Sequence, residues 1–451
     1  MVNRNKIRSS KEYCDICKNY HDFVFPDDLF ESITNHEVVV FAGAGISTEG
    51  SNIFPSTLYE DILNETKYSM DNAPSFSKVM SEFCKNKGGR RELIERITER
   101  TNYVHSFPDL YRSTVEFHQL LGRIPCIEEI VTTNWDDFFE SECHATPFVY
   151  EKDMVFWENP RRKVLKLHGS INNLGSIVIT SEDYDKRYQS INTGILGSQL
   201  KLLIATKKLV FFGYSFNDED FNRLFSFVRS QLGDFMKKFY IVTLDKSNDD
   251  KWKELGLEPI YTAGEYFLQV LIHKLQARGC LISDNIIGIV KAALNFTVRQ
   301  HILLSNRIKI TNYPEVIFCL SYQDGLIRAF ERFLHHVQYG ESLCESAILN
   351  TLKIHKKLLK EKQSRKKWYD VAYLTGYLNG YTFVIADDDV RESFPYYFDL
   401  SMHEEFSTFK EYKKSLTITE RKRKSISEYA SKFVKKFPDT DDIVVQHRPF
   451  L

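Results

Sequence analysis

The chain reads as an α/β protein: a doubly wound parallel sheet with a helical insertion, followed by a mainly α-helical C-terminal domain. Three observations predict this. From residue 38 to about 275, short β-branched runs alternate with stretches of helical pattern, as in a parallel sheet covered on both faces. The first run, Val38–Ala42, empties into Gly43-Ala44-Gly45-Ile46-Ser47, a strand-to-helix turn. After Gly279 the strand signal thins and amphipathic segments take over. With 451 residues the chain exceeds one ordinary domain, so two or three packed units are expected, each with core to spare.

The strand candidates, in order, are residues 38–42, 129–133, 163–167, 176–179, 208–212, 239–243 and 258–261. Between the first two, Pro55 to Gly122 is helical in pattern and too long for one crossover helix, so a small helical subdomain beside the sheet is expected. Such an insertion could roof a ligand crevice. Residues 324–337, 341–361, 367–381 and 417–437 read as helices of a second domain. The expected division is an N-terminal extension (1–30), a ligand-binding domain (31–278, insertion about 55–122) and a helical domain (279–451). Gly376 and Gly380 fall within a helical pattern, which suits close packing better than a second nucleotide pocket.

Lys plus Arg number 60 against 61 Asp plus Glu, a net charge of −1, which argues against a globally basic nucleic-acid binder but leaves local patches possible. The Lys-rich segments 353–367 and 413–424 could face a polyanion but read first as solvated helix faces, so direct nucleic-acid binding is not expected. Thirty-four Phe and 24 Tyr belong to a folded chain rather than a disordered one. Residues 1–11 are polar and basic with no apolar core, and no stretch approaches eighteen uninterrupted apolar residues, so a soluble, cytoplasmic protein without membrane contact is expected. The eight cysteines are then expected to be reduced. Only Cys14 and Cys17 have ligand spacing. His21 could be a third zinc ligand and Cys84 a distant fourth, but no second Cys-x-x-Cys follows and no metal is expected.

The chemistry sits at predicted strand ends, where open α/β sheets bind ligands. Gly43 and Gly45 carry no side chain, so a pyrophosphate could approach their N–H groups, while Ser47 or Thr48 could cap the following helix. A tight turn without a ligand is the plain alternative, since Thr48 stands where the third glycine of a dinucleotide fingerprint would be. The second strand ends in Thr132-Thr133-Asn134-Trp135-Asp136-Asp137, the third in His168-Gly169-Ser170, and the fifth in Gly213-Tyr214-Ser215-Phe216-Asn217-Asp218. Singly, Asn134 could be a helix cap and His168 a turn histidine. Together, four short motifs on successive strand ends seldom arise from packing needs alone.

In that conjunction the chain resembles the sirtuin family, over residues 36 to about 275. The resemblance implies a Rossmann-like NAD-binding domain. It places Gly43, Ala44, Gly45, Ile46 and Ser47 around the pyrophosphate, and Thr133, Asn134 and Asp136 at the nicotinamide ribose. It makes His168 a general base beside that ribose, and puts Gly213, Ser215 and Asn217 on the adenosine side. Asn134 and His168 are the catalytic candidates. The residue types suit the chemistry: cleaving the glycosidic bond builds oxocarbenium character, so a site must hold the hydroxyls, seat a nucleophile and exclude bulk water. Histidine, which ordinarily titrates near neutral pH, can take a proton from a ribose hydroxyl or orient a water. Whether Asp136 or Asp137 faces a ligand is open from spacing alone.

Protein deacylases of that family carry a zinc module of two Cys-x-x-Cys pairs after the His-Gly motif. Here no cysteine lies between Cys143 and Cys280, and Gly50-Ser51-Asn52-Ile53-Phe54-Pro55 replaces the family's Gly-Ile-Pro-Asp-Phe-Arg. These departures resemble the sirtuin-like domains of bacterial anti-phage defence proteins, with Ser181-Glu182-Asp183-Tyr184 and Gly213-Tyr214-Ser215-Phe216 as further matches. That resemblance implies NAD hydrolysis by water on infection, to nicotinamide and ADP-ribose, with NAD as substrate. The helical domain would mediate homo-oligomerisation or bind a partner such as an ATPase or a phage-sensing subunit. A deacylase with a non-zinc cleft and a non-catalytic NAD- or ADP-ribose-binding module are the alternatives.

Overall fold

A computed structural model of the chain describes residues 17–47, 53–66, 74–86, 88–159, 161–216, 219–338, 345–417 and 421–435. The chain divides into two compact units, Met1–Leu275 and Gln276–Leu451. In the first, helix α1 (Asp27–Thr34) leads into β1 (Val38–Ala42). Five helices follow: α2 (Leu58–Glu65), α3 (Phe76–Asn86), α4 (Gly89–Ser106), α5 (Pro108–Thr114) and α6 (Glu116–Gly122). Then come β2 (Glu129–Thr132), α7 (Phe138–Cys143), β3 (Thr146–Phe148), β4 (Lys163–Lys166), α8 (Ser181–Thr193), α9 (Ile195–Thr206) and β5 (Lys208–Phe212). The unit closes with α10 (Glu219–Leu232), β6 (Phe239–Thr243), α11 (Asp249–Glu254), β7 (Leu257–Tyr261) and α12 (Gly264–Ala277).

Seven strands form one sheet in the order β3-β4-β2-β1-β5-β6-β7, and every pairing is parallel. The chain runs from β1 outward through β2, returns past β1 to β5, and runs outward again on the other side. The reversal makes the β1/β5 boundary a topological switch point, with its crevice at the carboxyl ends. Every residue of β1 is buried, as a strand covered on both faces requires. Val39 and Phe41 share one core with Val131, Leu165, Leu209 and Phe211 of neighbouring strands and with Leu200 of α9 and Phe225 of α10. On the other face Phe212 packs between Phe117 of α6 and Phe267 of α12, at ring separations of 5.0 and 5.4 Å. Each such side chain taken from water contributes about 1.5–3 kcal/mol.

Two expectations for the strands are corrected. Residues 176–179 form no strand; Ile177 and Ile179 plug the core of the helical insertion beside Ile62, Met80, Phe83 and Leu93. Their apolar, β-branched character serves a helical cluster rather than a sheet. The seventh strand is instead β3, three residues long and interrupted by Pro147, which an edge strand tolerates because its N–H side needs no partner. From Tyr20 onward the N-terminal segment packs on α12: Tyr20 stacks on Tyr266 at 5.0 Å and Phe23 on Phe267 at 5.6 Å.

The second unit comprises α13 (Asp284–Arg307), α14 (Val316–Gln338), α15 (Glu345–Ser364), α16 (Trp368–Ile385), α17 (Asp388–Glu392), β8 (Tyr397–Asp399), β9 (Glu404–Phe406), α18 (Phe409–Ser415) and α19 (Arg421–Val434). Helices α14 and α16 touch backbone to backbone. A Cβ on Gly376 would lie 2.8 Å from the Tyr322 carbonyl carbon, and one on Gly325 would lie 2.8 Å from the Tyr377 nitrogen. Gly376 thus serves packing, as its helical pattern implied. The antiparallel β8–β9 hairpin is a feature that helical periodicity did not announce. No helix among the described residues is long and apolar enough to cross a membrane.

Candidate functional site

β1 and β5 end side by side, and their turns interlock. The Gly43 N–H donates to the Phe212 carbonyl at 2.9 Å and the Gly45 N–H to the Gly213 carbonyl at 3.0 Å. Gly213 has φ +57°, and a Cβ there would come within 2.6 Å of the Ile46 nitrogen. These glycines are therefore required by contact between two backbone turns. That revises one expectation: the Gly43 and Gly45 N–H groups are committed to carbonyls of the neighbouring turn rather than presented to a phosphate. Ala44 and Gly45 still form the exposed surface of the turn, while Ile46 and Ser47 point inward. Residues 44–46 make a single 3-10 turn, and Thr48 lies outside the described residues.

The loop after β2 is bound to that turn. Thr132 Oγ1 donates to the Ala42 carbonyl and accepts the Asn134 N–H, both at 3.0 Å, and the Thr133 N–H donates to the same Ala42 carbonyl at 3.3 Å. Asn134 Nδ2 donates to the Gly43 carbonyl at 3.1 Å, whereas Asn134 Oδ1 is buried without a hydrogen-bond partner. Asp136 is buried, accepting from Ser47 Oγ and, at 3.3 Å, from the Phe138 N–H. Ser47 thus holds a carboxylate instead of capping a helix, and Asp136 faces into the protein. Asp137 lies nearer the insertion: its Oδ1 is 3.7 Å from His105 Nε2 of α4.

Beneath this loop stands Lys166 at the end of β4, with no exposed surface. Its ammonium donates to the carbonyls of Trp135 (3.4 Å) and Asp136 and pairs with Glu140 Oε1 at 2.9 Å. Burial pushes the Glu140 carboxyl above its usual range, against the pull of Lys166. Close by, His118 of α6 is fully buried among Phe117, Phe138 and Phe139, and burial pushes it down to about 4, which keeps it neutral. Sequence reasoning missed both residues. A lysine set between the apolar Leu165 and Leu167 of a predicted strand was the available signal for the first, and none announced the second.

The His168 ring is buried and meets the Tyr184 ring edge-on at 4.9 Å. Gly169 turns the chain at φ +88°, where a Cβ would lie 2.5 Å from the Ser176 carbonyl carbon. The Ile171 N–H then donates to the Trp135 carbonyl at 2.7 Å, tying the His-Gly loop to the Asn-Trp-Asp loop. Tyr184 rides on α8, whose first turn is fixed by a capping box between Thr180 and Asp183. Burial alone would raise the Asp183 carboxyl; Arg90 of the insertion, together with the N–H groups of Thr180 and Ile179, holds it below its usual range. Arg90 also donates to the Ile177 carbonyl at 2.6 Å, so the insertion is clamped to the segment carrying Tyr184.

Direct bonds thus join the glycine turn, Thr133, Asn134, Asp136 and Gly213, and one further bond brings in the His168 loop. Ser215 sits apart, exposed, with its carbonyl accepting from Lys251 at 3.0 Å, and Asn217 lies outside the described residues. Among the described residues no group of three or more His, Cys, Asp or Glu side chains is placed to hold a metal ion; Cys14 and the Cys17 side chain lie outside them.

A doubly wound parallel sheet with polar loops converging at its switch point has the architecture of a nucleotide-binding α/β domain. Residues 128–260 match the family model described as a SIR2-like domain, and the chain carries a domain of this sirtuin-like class. The chain is 29% identical over 221 residues to "NAD(+) hydrolase ThsA" of Enterococcus faecium, covering 47% of this chain and 44% of that protein. Similarity to the protein of the same name from Acinetobacter baumannii is 21% over 238 residues, covering 50% and 47%. "Defense-associated sirtuin 2" of Bacillus subtilis is 25% identical over 239 residues, covering 48% of this chain and 22% of that protein. The chain spans less than half the length of these curated relatives.

Proposed function

We propose that this chain is an NAD+ glycohydrolase, cleaving NAD to nicotinamide and ADP-ribose as a triggered, NAD-depleting effector of anti-phage defence. The observation that carries the reading is the Asn134 amide. It is anchored to the glycine turn through Nδ2 and holds a buried acceptor, Oδ1, with no donor. A buried unpaired acceptor costs about 1–3 kcal/mol, and a ribose hydroxyl is a donor of the kind that would relieve it. The names of the curated relatives, NAD(+) hydrolase and defence-associated sirtuin, support the same reading.

In this mechanism the exposed turn takes the pyrophosphate at the Ala44 backbone, with Gly45 leaving room beside it and Gly213, Ser215 and Asn217 toward the adenosine. Asn134 holds the nicotinamide ribose. The bond from the ribose C1′ to the nicotinamide nitrogen breaks, its electron pair leaving with nicotinamide. Water adds at C1′, and His168 accepts the proton that the water loses. Asp136 acts through Ser47, fixing the turn rather than touching the substrate. The helical insertion excludes bulk water. Homo-oligomerisation, or a partner such as an ATPase or a phage-sensing subunit, supplies the control such an activity needs.

Expression of the chain in a bacterial host should lower cellular NAD and arrest growth, and Asn134→Ala or His168→Ala should each cut nicotinamide release by at least about a hundredfold. Toxicity that survives both substitutions would defeat the hydrolase reading. Nicotinamide release that requires an acetylated peptide would favour a deacylase, and NAD binding without turnover a binding module.

A further inference from the structure

We propose that the second unit carries a docking surface for duplex nucleic acid, formed by the basic face of α15, the turn that follows it, and the end of α19. Between residues 353 and 367 the chain has eight cations, Lys353, Lys356, Lys357, Lys360, Lys362, Arg365, Lys366 and Lys367, against one acid, Glu361. Glu361 pairs with Arg365 at 3.2 Å, and Lys362 pairs with Asp370 at 3.0 Å. Among the described residues no carboxylate lies in ion-pair range of the other six, all of which are exposed.

Their spacing places them together. Lys353, Lys356, Lys357 and Lys360 follow the i, i+3, i+4, i+7 rule for one helix face, a stripe about 10 Å long. The opposite face supplies Ile348 and Leu352 to the core of the unit, with Leu359 packed against it. Beyond the stripe, Lys366 closes the helix at φ +51°, a left-handed position where glycine or asparagine is the ordinary choice and a lysine costs stability. Stacking of Tyr369 on Phe433 at 5.0 Å then brings α19 alongside the turn, adding the exposed Lys432 and Lys435. Eight cations without a described carboxylate partner are concentrated here, in a chain whose total charge is −1.

Like charges at helical spacing repel one another and destabilise an isolated helix by a few tenths of a kcal/mol per pair, so the stripe is best satisfied by a polyanion laid across it. A duplex offers one phosphate per about 1.7 Å of axis, enough to neutralise several of these cations at once with release of counterions. An anionic membrane fits less well. A helix that binds the lipid interface must sink its apolar face, and in α15 that face is already spent on the protein core. Global charge balance conceals such a surface because the acids lie elsewhere in the chain.

The full-length chain is tested by fluorescence anisotropy with a 30-base-pair duplex of arbitrary sequence across a sodium chloride series. Wild type is expected to bind, with log K falling linearly as log salt rises. Lys356→Glu/Lys357→Glu/Lys360→Glu, on exposed positions, should weaken binding at least tenfold at 100 mM salt and flatten the slope by about two to three, while Lys410→Glu, an exposed cation on α18, should change neither. Circular dichroism checks that the triple variant remains folded; should it unfold, the single charge removals Lys356→Gln and Lys360→Gln replace it, each expected to reduce the slope by about one. No duplex binding by wild type, equal losses in the stripe variants and in Lys410→Glu, or binding to phosphatidylserine vesicles but not to duplex would each overturn the proposal.

Discussion

Lys166 in the first unit and Asp324 in the second are both buried titratable groups, and the protein treats them in opposite ways. Lys166 is partnered: its Nζ donates to two carbonyls and pairs with Glu140. Asp324 of α14 has no such partner: its Oδ2 is buried unbonded, His301 Nδ1 of α13 lies 3.8 Å from Oδ1, and burial raises the carboxyl to about 7 while lowering the imidazole. The first centre is partnered because motif loops converge on it. The second escapes the cost of burial by becoming neutral. Buried titratable groups in this chain are therefore given partners where they organise loops, and neutralised where they merely fill a helical interface.

The largest effect should come from breaking the charged centre. Lys166→Met leaves Glu140 buried without its cation and takes one donor from each of the Trp135 and Asp136 carbonyls, so a loss of about 3–5 kcal/mol is expected in urea unfolding. Pairing it with Glu140→Leu should recover more than half of that. If the single and double variants were equally unstable, Lys166 would matter for its shape and not its charge.

A smaller effect sharpens the contrast through pH. The Asp324 carboxyl is raised from 3.8 to about 7, so between those values the folded chain holds a proton that the unfolded chain has released. Its contribution is therefore lost as pH rises through that window and is constant above it. Asp324→Asn should remove this loss, gaining on the order of 1 kcal/mol or more over wild type at pH 8 relative to pH 4. His118 runs the other way: lowered from 6.5 to about 4, it costs stability as pH falls through that interval, and His118→Leu should flatten the acid limb. Thermal unfolding against pH reads both slopes. Smallest is Thr180→Ala, which removes the α8 cap and should cost about 1 kcal/mol while loosening Tyr184 from His168.

β1, β5 and β6 were legible because an unbroken apolar run has few uses other than a strand buried on both faces. Residues 176–179 had the same look and another use, since burial in a helical cluster asks for the same side chains. β3 escaped notice because three residues with a proline carry almost no pattern. At the site, motif order suggested which loops belong together, and the structure shows the bonds between them. The sequence could not assign the partners: that Asp136 turns inward to Ser47, and that Gly43 is a glycine because of Gly213, depend on contacts across 89 and 170 positions. Local spacing carries no trace of such pairs.

The interlock of Gly43 and Gly45 with Phe212 and Gly213 also sets an order of assembly. Strand β1 leaves the ribosome early, yet its turn lacks its bonding partners until β5 has been made and inserted beside it. Closing so long a loop is slow compared with forming helices. A nascent chain, or a fragment cut between β4 and β5, would contain Asn134, His168 and the Gly43 carbonyl that anchors the asparagine amide, and still lack the Phe212–Gly213 turn against which Gly43 and Gly45 are fixed. Competence of the site is thus deferred until translation has passed its final motif.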